Sequence, residues 1–168
     1  GTSDIGNNTF DINVTTSGSL TDSGVITAGT LDVSTINGDV TLDSANKVTT
    51  FLADTVSASS GGDVLFVNDA QNLILGTSSL HTANTLDINV TTSGTLTDSG
   101  IITAGTLDVL TVNQVITLDS ANVVGTFIAN NDSGTGANVL FTRNGGNLAI
   151  GTSDIGNNTF DINVTTSG

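Results

Sequence analysis

Residues 151–168, GTSDIGNNTFDINVTTSG, repeat residues 1–18 letter for letter. A second, imperfect copy begins at Gly76 as GTSSLHTANTLDINVTTSG, one residue longer. The match continues downstream. SLTDSGVITAGTLDV from Ser19 returns as TLTDSGIITAGTLDV from Thr95, and VTLDSANKVTTF from Val40 returns as ITLDSANVVGTF from Ile116. Fixed-period self-similarity is the mark of solenoids, propellers and arrays. The expected organisation is one continuous segment, 1–168, with repeat units 1–75, 76–150 and a partial unit 151–168. The same periodicity predicts a tandem array that continues past Gly168 with Ser or Thr and then Leu-Thr-Asp-Ser-Gly.

Composition restricts what such a repeat can build. The 16 acidic residues are all Asp, and the cations are Lys47 and Arg143, which leaves a net charge of −14. Pro, Cys, Met, Trp, Tyr and Glu are absent. Without Glu or Met and with one Lys, the chain lacks good helix formers, while Asp, Asn, Gly, Ser and Thr favour turns and strands. At 36% hydrophobic residues it is too apolar for the disordered class. Nucleic acid is an unfavourable partner, because binding it needs Lys and Arg to displace phosphate counterions. No run of 18 apolar residues exists, so no membrane insertion is expected.

Along the chain, short alternating segments sit between turn clusters. Phe10, Ile12 and Val14 point one way in Phe10-Asp11-Ile12-Asn13-Val14, and Leu31-Asp32-Val33, Val40-Thr41-Leu42, Leu107-Asp108-Val109 and Ile116-Thr117-Leu118 repeat the theme. Turns are expected at Thr16-Ser17-Gly18, Asp22-Ser23-Gly24, Ser59-Ser60-Gly61-Gly62 and Asn144-Gly145-Gly146-Asn147. This pattern predicts roughly eight to ten strands of about three to five residues in each 75-residue copy. Phe10, Leu86 and Phe160 are expected at equivalent inward sites, as are Phe51 with Phe127 and Phe66 with Phe141. A string of separate sandwiches would call for core Trp or Tyr and for linkers, and neither is present. A parallel β-helix of thin rungs stacked about 4.8 Å apart fits better; a trimeric β-fibre is the alternative.

GDVTLDSANKVTTF from Gly38, NLILGTSSL from Asn72, LDINVTTSGTLTDSGIITAGTLDV from Leu86 and NLAIGTSD from Asn147 resemble filamentous-haemagglutinin-type repeats of large bacterial surface exoproteins and adhesins. The resemblance implies a right-handed parallel β-helix forming a shaft at the bacterial cell surface or outside the cell. It carries over no functional residue.

Candidate chemistry is sparse. The repeated aspartates (Asp11, Asp87 and Asp161; Asp22 and Asp98; Asp32 and Asp108; Asp43 and Asp119) have the oxygen chemistry of Ca²⁺ ligands. The GGxGxDxUx calcium repeat and the EF-hand loop are both missing, so solvated faces and Asx-turns are the expected roles. Asn46 with Asn122, and Asn72 with Asn147, suggest hydrogen-bonded asparagine ladders. Asn7, Asn13, Asn89 and Asn131 begin glycosylation-type triplets of the kind such a composition produces by itself. His81, at the one-residue insertion of copy two, lacks partner ligands for a transition metal. Lys47 and Arg143 align with Val123 and Asn68, so neither belongs to a repeated site. The diglycines are not followed by Gly-Lys-Ser/Thr and are not phosphate loops. No catalytic residue, cofactor or metal site is therefore expected, and no enzyme. The leading expectation is a structural shaft that gives length and associates through neighbouring repeats or copies of itself end to end. The alternative is a repetitive binding module for carbohydrate (host or cell-surface glycans), cell surfaces or ice, with outward threonines such as Thr15-Thr16 and Thr91-Thr92.

Overall fold

The computed structural model describes residues 1–14, 18–55, 61–69, 72–81, 83–90, 94–132 and 137–165; the expected turn at Thr16-Ser17 and the threonine pairs Thr15-Thr16 and Thr91-Thr92 lie outside them. Among the described residues there is no helix. The first copy supplies β1 (Ser3–Asp4), β2 (Thr9–Val14), β3 (Leu20–Thr21), β4 (Ile26–Thr35), β5 (Val40–Asp54), β6 (Val64–Asn68) and β7 (Asn72–Leu75). The second supplies β8 (Ser78–Ser79), β9 (Thr85–Val90), β10 (Thr95–Asp98), β11 (Ile102–Val112), β12 (Ile116–Asp132), β13 (Val139–Asn144) and β14 (Ala149–Ile150), followed by β15 (Phe160–Thr165). The chain is an all-β solenoid of parallel strands with about seven turns.

Successive rungs pair in parallel, with partners 20–25 residues apart. The longer pairings resolve into two stacks that the chain visits alternately, with short ladders between them formed by β1, the start of β4 and the middle of β5, and by β8, the start of β11 and the middle of β12. One stack runs β2, β4, the end of β5, β7, β10, the start of β12, β13 and β15. The other runs β3, the start of β5, β6, β9, the middle of β11, the end of β12 and β14. Seven steps in the first stack lead from β2 to β15, which carry the same FDINV sequence. The copy-two counterpart of β2 is β9, and β9 lies in the other stack. A 75-residue copy is therefore three and a half turns, and only the 150-residue unit returns to the same face. Seven rungs at the ordinary strand spacing rise about 34 Å.

Why the chain takes this path follows from its alternation. Leu31, Phe51 and Leu75 point inward from the first stack, and Val40, Val64, Leu86, Leu107 and Phe127 from the second, each at most 1% exposed. They form one core that is continuous across the junction at Gly76. The half-turn relation is visible in its aromatics. Phe51 stacks on Phe66 at 4.0 Å between ring centroids, and Phe127 on Phe141 at 4.0 Å, the members of the second pair having exchanged faces. Phe10 and Phe160, on the outermost rungs described, are partly buried against the same core, and Leu86 is fully buried.

Among the described residues the strands are longer and fewer than the alternation predicts: seven per copy, with β5 and β12 reaching 15 and 17 residues. The difference lies at Asp43-Ser44-Ala45-Asn46 and Asp119-Ser120-Ala121-Asn122, polar tracts that carry the strand around a corner. At each corner the Asn turns inward and is fully buried. Asn46 Oδ1 accepts the Ile26 N–H (2.8 Å), and Asn122 Oδ1 accepts the Ile102 N–H (2.8 Å). Each Nδ2 donates to the preceding rung's aspartate, Asp22 (2.9 Å) or Asp98 (2.8 Å). A buried amide thus satisfies the backbone where the bend interrupts the ladder. Glycine serves the opposite edge. A Cβ on Gly62 would sit 2.1 Å from Gly38 O, and one on Gly38 would sit 2.1 Å from Gly18 O, so this corner closes only on bare backbone.

Candidate functional site: two equivalent faces

The outward positions form ladders along the axis. On the first face Thr9, Thr30, Thr50, Ile74, Thr97, Thr117, Leu140 and Asp161 are successive partners. On the second face the order is Thr21, Thr41, Leu65, Asp87, Asp108 and Ile128. The run Thr21–Thr41–Leu65–Asp87 returns one repeat later as Thr97–Thr117–Leu140–Asp161. The half-turn offset thus places the same outward chemistry on both faces.

A shallow groove accompanies this run on each face. The first, about 270 Å³, is lined by Thr41, Leu65, Thr85 and Asp87 together with Asp39 and Asp63. The second, about 250 Å³, is lined by Thr117, Leu140, Thr159 and Asp161 together with Val115 and Asn138. The copies differ in charge here: three carboxylates line one groove and a single carboxylate the other. Part of that polarity is structural. Asp39 Oδ1 accepts the Asp63 N–H (3.1 Å), and Asp63 Oδ1 accepts the Thr85 N–H (2.8 Å), while Asn138 Oδ1 accepts the Thr159 N–H (3.1 Å). These short side chains join each rung to the next, an Asx role of the kind the composition suggests.

Two groups stand out among the repeated aspartates. Asp22 and Asp98 are corner acceptors. Asp22 takes the Ser44 N–H and hydroxyl, and Asp98 the Asp119 and Ser120 N–H groups. Asp11 with Asp32, and Asp87 with Asp108, are instead stacked directly on one another. Burial raises the carboxyls of Asp32, Asp54, Asp87 and Asp108 above the ordinary 3.8. Neighbouring carboxylates add to the rise, Asp11 and Asp54 acting on Asp32, and Asp108 on Asp87. Among the described residues no group of three or more His or Asp side chains is arranged to hold a metal ion.

The asparagine ladder is shorter than the repeats suggest. Asn46 stacks on Asn68, but Asn122, half a turn out of phase with Asn46, stacks on Arg143. Asn72 is exposed and accepts the Thr95 N–H (3.1 Å) and hydroxyl (3.0 Å); Asn147 is exposed. Asn131 is 5% exposed, which closes that glycosylation-type triplet to modification in the fold. His81 is half-buried, and its Nδ1 accepts the Ala83 N–H (3.3 Å). Lys47 is exposed beside Thr27. Arg143 is buried, which its lack of a basic counterpart did not signal; its phase with Val139 and Phe141 did. No family model, curated protein or solved structure matches this chain.

Proposed function

We propose that this chain is a structural repeat segment of an extracellular filament or of an adhesin shaft at the bacterial cell surface, giving length and self-association. The supporting observation is a core and strand ladder that pass from one copy to the next without a break. In separate domains each copy would close its own core. Here each copy adds three and a half rungs, about 17 Å of axial rise, and depends on its neighbours to cover its edges. Stacking on neighbouring repeats or on further copies end to end is the matching mode of association, since strand edges pair through backbone hydrogen bonds. The reading assigns the chain no catalytic role. Electron microscopy of the protein and of variants with added 150-residue units tests it. Rods that lengthen by about 34 Å per unit support a shaft; particles of constant length, or beads on a string, overturn it.

The recurring Thr–Thr–Leu–Asp groove favours a second reading, a repetitive binding module for carbohydrate. A glycan array probed with the protein tests it: retention that falls in a Thr41→Ala, Asp87→Ala variant supports groove binding, and no retention overturns it.

A further inference from the structure

Arg143 replaces Asn68 of copy one at an inward position of β13. It is 7% exposed. Its Nε donates to Val124 O, the counterpart of the bond from Asn68 Nδ2 to Val48 O (3.0 Å), and its Nη1 has no partner. A buried guanidinium without a counter-charge is among the costliest groups a core can hold. The residues beside it change too: Asp69-Ala70-Gln71 of copy one becomes Asn144-Gly145-Gly146. The adjacent carboxylate is removed where the cation appears, and two side chains give way to bare backbone.

Both glycines have positive φ, 77° and 71°. A Cβ placed on Gly146 would lie 3.3 Å from Nη1, 3.3 Å from Nη2 and 3.7 Å from Cζ. With C–N bonds of about 1.3 Å, a point in the guanidinium plane at that distance from both nitrogens lies roughly 3.7 Å from Cζ. A point over the face would be nearer to Cζ than to the nitrogens. The two-nitrogen edge of Arg143 therefore faces the Gly146 turn head-on. That edge is the fork that takes two oxygens of an oxyanion. Gly146 is exposed, and a Cβ on Gly145 would meet nothing within 4 Å, so only a side-chain-free turn stands in the way.

We propose that Arg143 and the Gly145-Gly146 turn form an oxyanion site present in copy two and absent from copy one, which takes a carboxylate, sulfate or phosphate group against the guanidinium edge. The site stands independently of the shaft reading. Arg143 is the sole arginine, so the chain gives a single Arg Nε–Hε NMR signal. Titration with sodium acetate, sulfate and phosphate, against sodium chloride at matched ionic strength, should move that signal saturably for at least one oxyanion and not for chloride. Saturation with acetate alone assigns a planar carboxylate; saturation with sulfate or phosphate assigns a tetrahedral group. Arg143→Asn installs the residue copy one uses at this position, so it should fold, and it should lose the oxyanion-specific part of the rise in Tm. Arg143→Lys keeps the charge without the fork and should weaken binding about tenfold or more. A signal that follows ionic strength alone, or equal oxyanion stabilisation of wild type and Arg143→Asn, would overturn the proposal.

Discussion

Replacing Asn122 by Ala removes the amide that holds one corner of the solenoid. Its Oδ1 is the acceptor for the buried Ile102 N–H, and its Nδ2 donates to Asp98 and, at 3.4 Å, to Leu118 O. Leaving the Ile102 N–H unsatisfied in a fully buried site costs about 1–3 kcal/mol. The bond to a carboxylate is stronger than a neutral one, but Asp98 is half-buried and keeps the Asp119 and Ser120 N–H groups, so its share falls near the lower end of about 1.5–3 kcal/mol. The expected loss is about 3–4 kcal/mol, and Asn46→Ala should cost a similar amount because the same bonds recur there. Asn122→Asp separates this argument from simple loss of volume. It preserves shape and still accepts the Ile102 N–H, but it sets a second carboxylate against Asp98. At pH 7 it should destabilise at least as much as Asn122→Ala and recover as the pH falls, and Asp98→Asn in the same chain should rescue it. With no Trp or Tyr in the chain, chemical unfolding is followed by far-UV circular dichroism. A loss under about 0.5 kcal/mol for Asn122→Ala, the range of ordinary surface changes, would refute the corner role.

The aspartates raised by burial set a pH dependence. Asp32, Asp54, Asp87 and Asp108 have folded-state carboxyls raised above 3.8, so folding favours their protonated forms. Their stabilising contribution is complete below 3.8 and is lost as the pH rises through the folded values. Thermal melts over a series acidified from pH 7 towards 3.8 should show Tm rising as the folded-state values are crossed and a flatter profile in Asp87→Asn; a profile identical in Asp87→Asn would contradict this. Gly62→Ala places a methyl 2.1 Å from Gly38 O; overpacking of this kind costs typically about 1–3 kcal/mol, and an unchanged unfolding midpoint would rule out the close approach. Phe66→Ala and Phe141→Ala should each cost about 3–5 kcal/mol. Phe127→Ala should cost more than Phe51→Ala, because Phe127 also meets Phe160 edge-on at 6.0 Å; equal losses would mean that contact contributes nothing.

The β-class, the repeat units and the inward phase of the phenylalanines are legible in the sequence because alternation and self-similarity are local signals. The rung is harder to read, since loops of unequal length scatter it over 20–25 residues. One signal does carry it: Thr-Phe-Asp-Ile at Thr9, Thr-Leu-Asp-Val at Thr30 and Thr-Phe-Leu-Ala at Thr50 recur at rung spacing inside one copy, and again at Thr85, Thr106 and Thr126. The half-turn offset follows only once that spacing is set against 75. The corner asparagines sit in polar Asp-Ser-Ala-Asn tracts whose composition gives no sign of burial, and their burial depends on backbone groups about 20 residues away. Arg143 misleads for a similar reason, since its charge suggests the surface while its alternation places it inside.

Distances between spin labels at Asp11, Asp87 and Asp161 test the two-faced solenoid most directly. The chain has no Cys, so each labelling cysteine is unique, and all three positions point outward at equivalent places in successive copies. Asp11 and Asp161 share a face and should lie about 34 Å apart along the axis, seven rungs at the ordinary spacing. Asp87 should lie on the opposite face, about 17 Å along the axis and across two sheets about 10 Å apart, so that the two shorter distances together clearly exceed the longer one. Three collinear labels, with the shorter distances summing to the longer, would place every copy on one face and contradict the three-and-a-half-turn repeat.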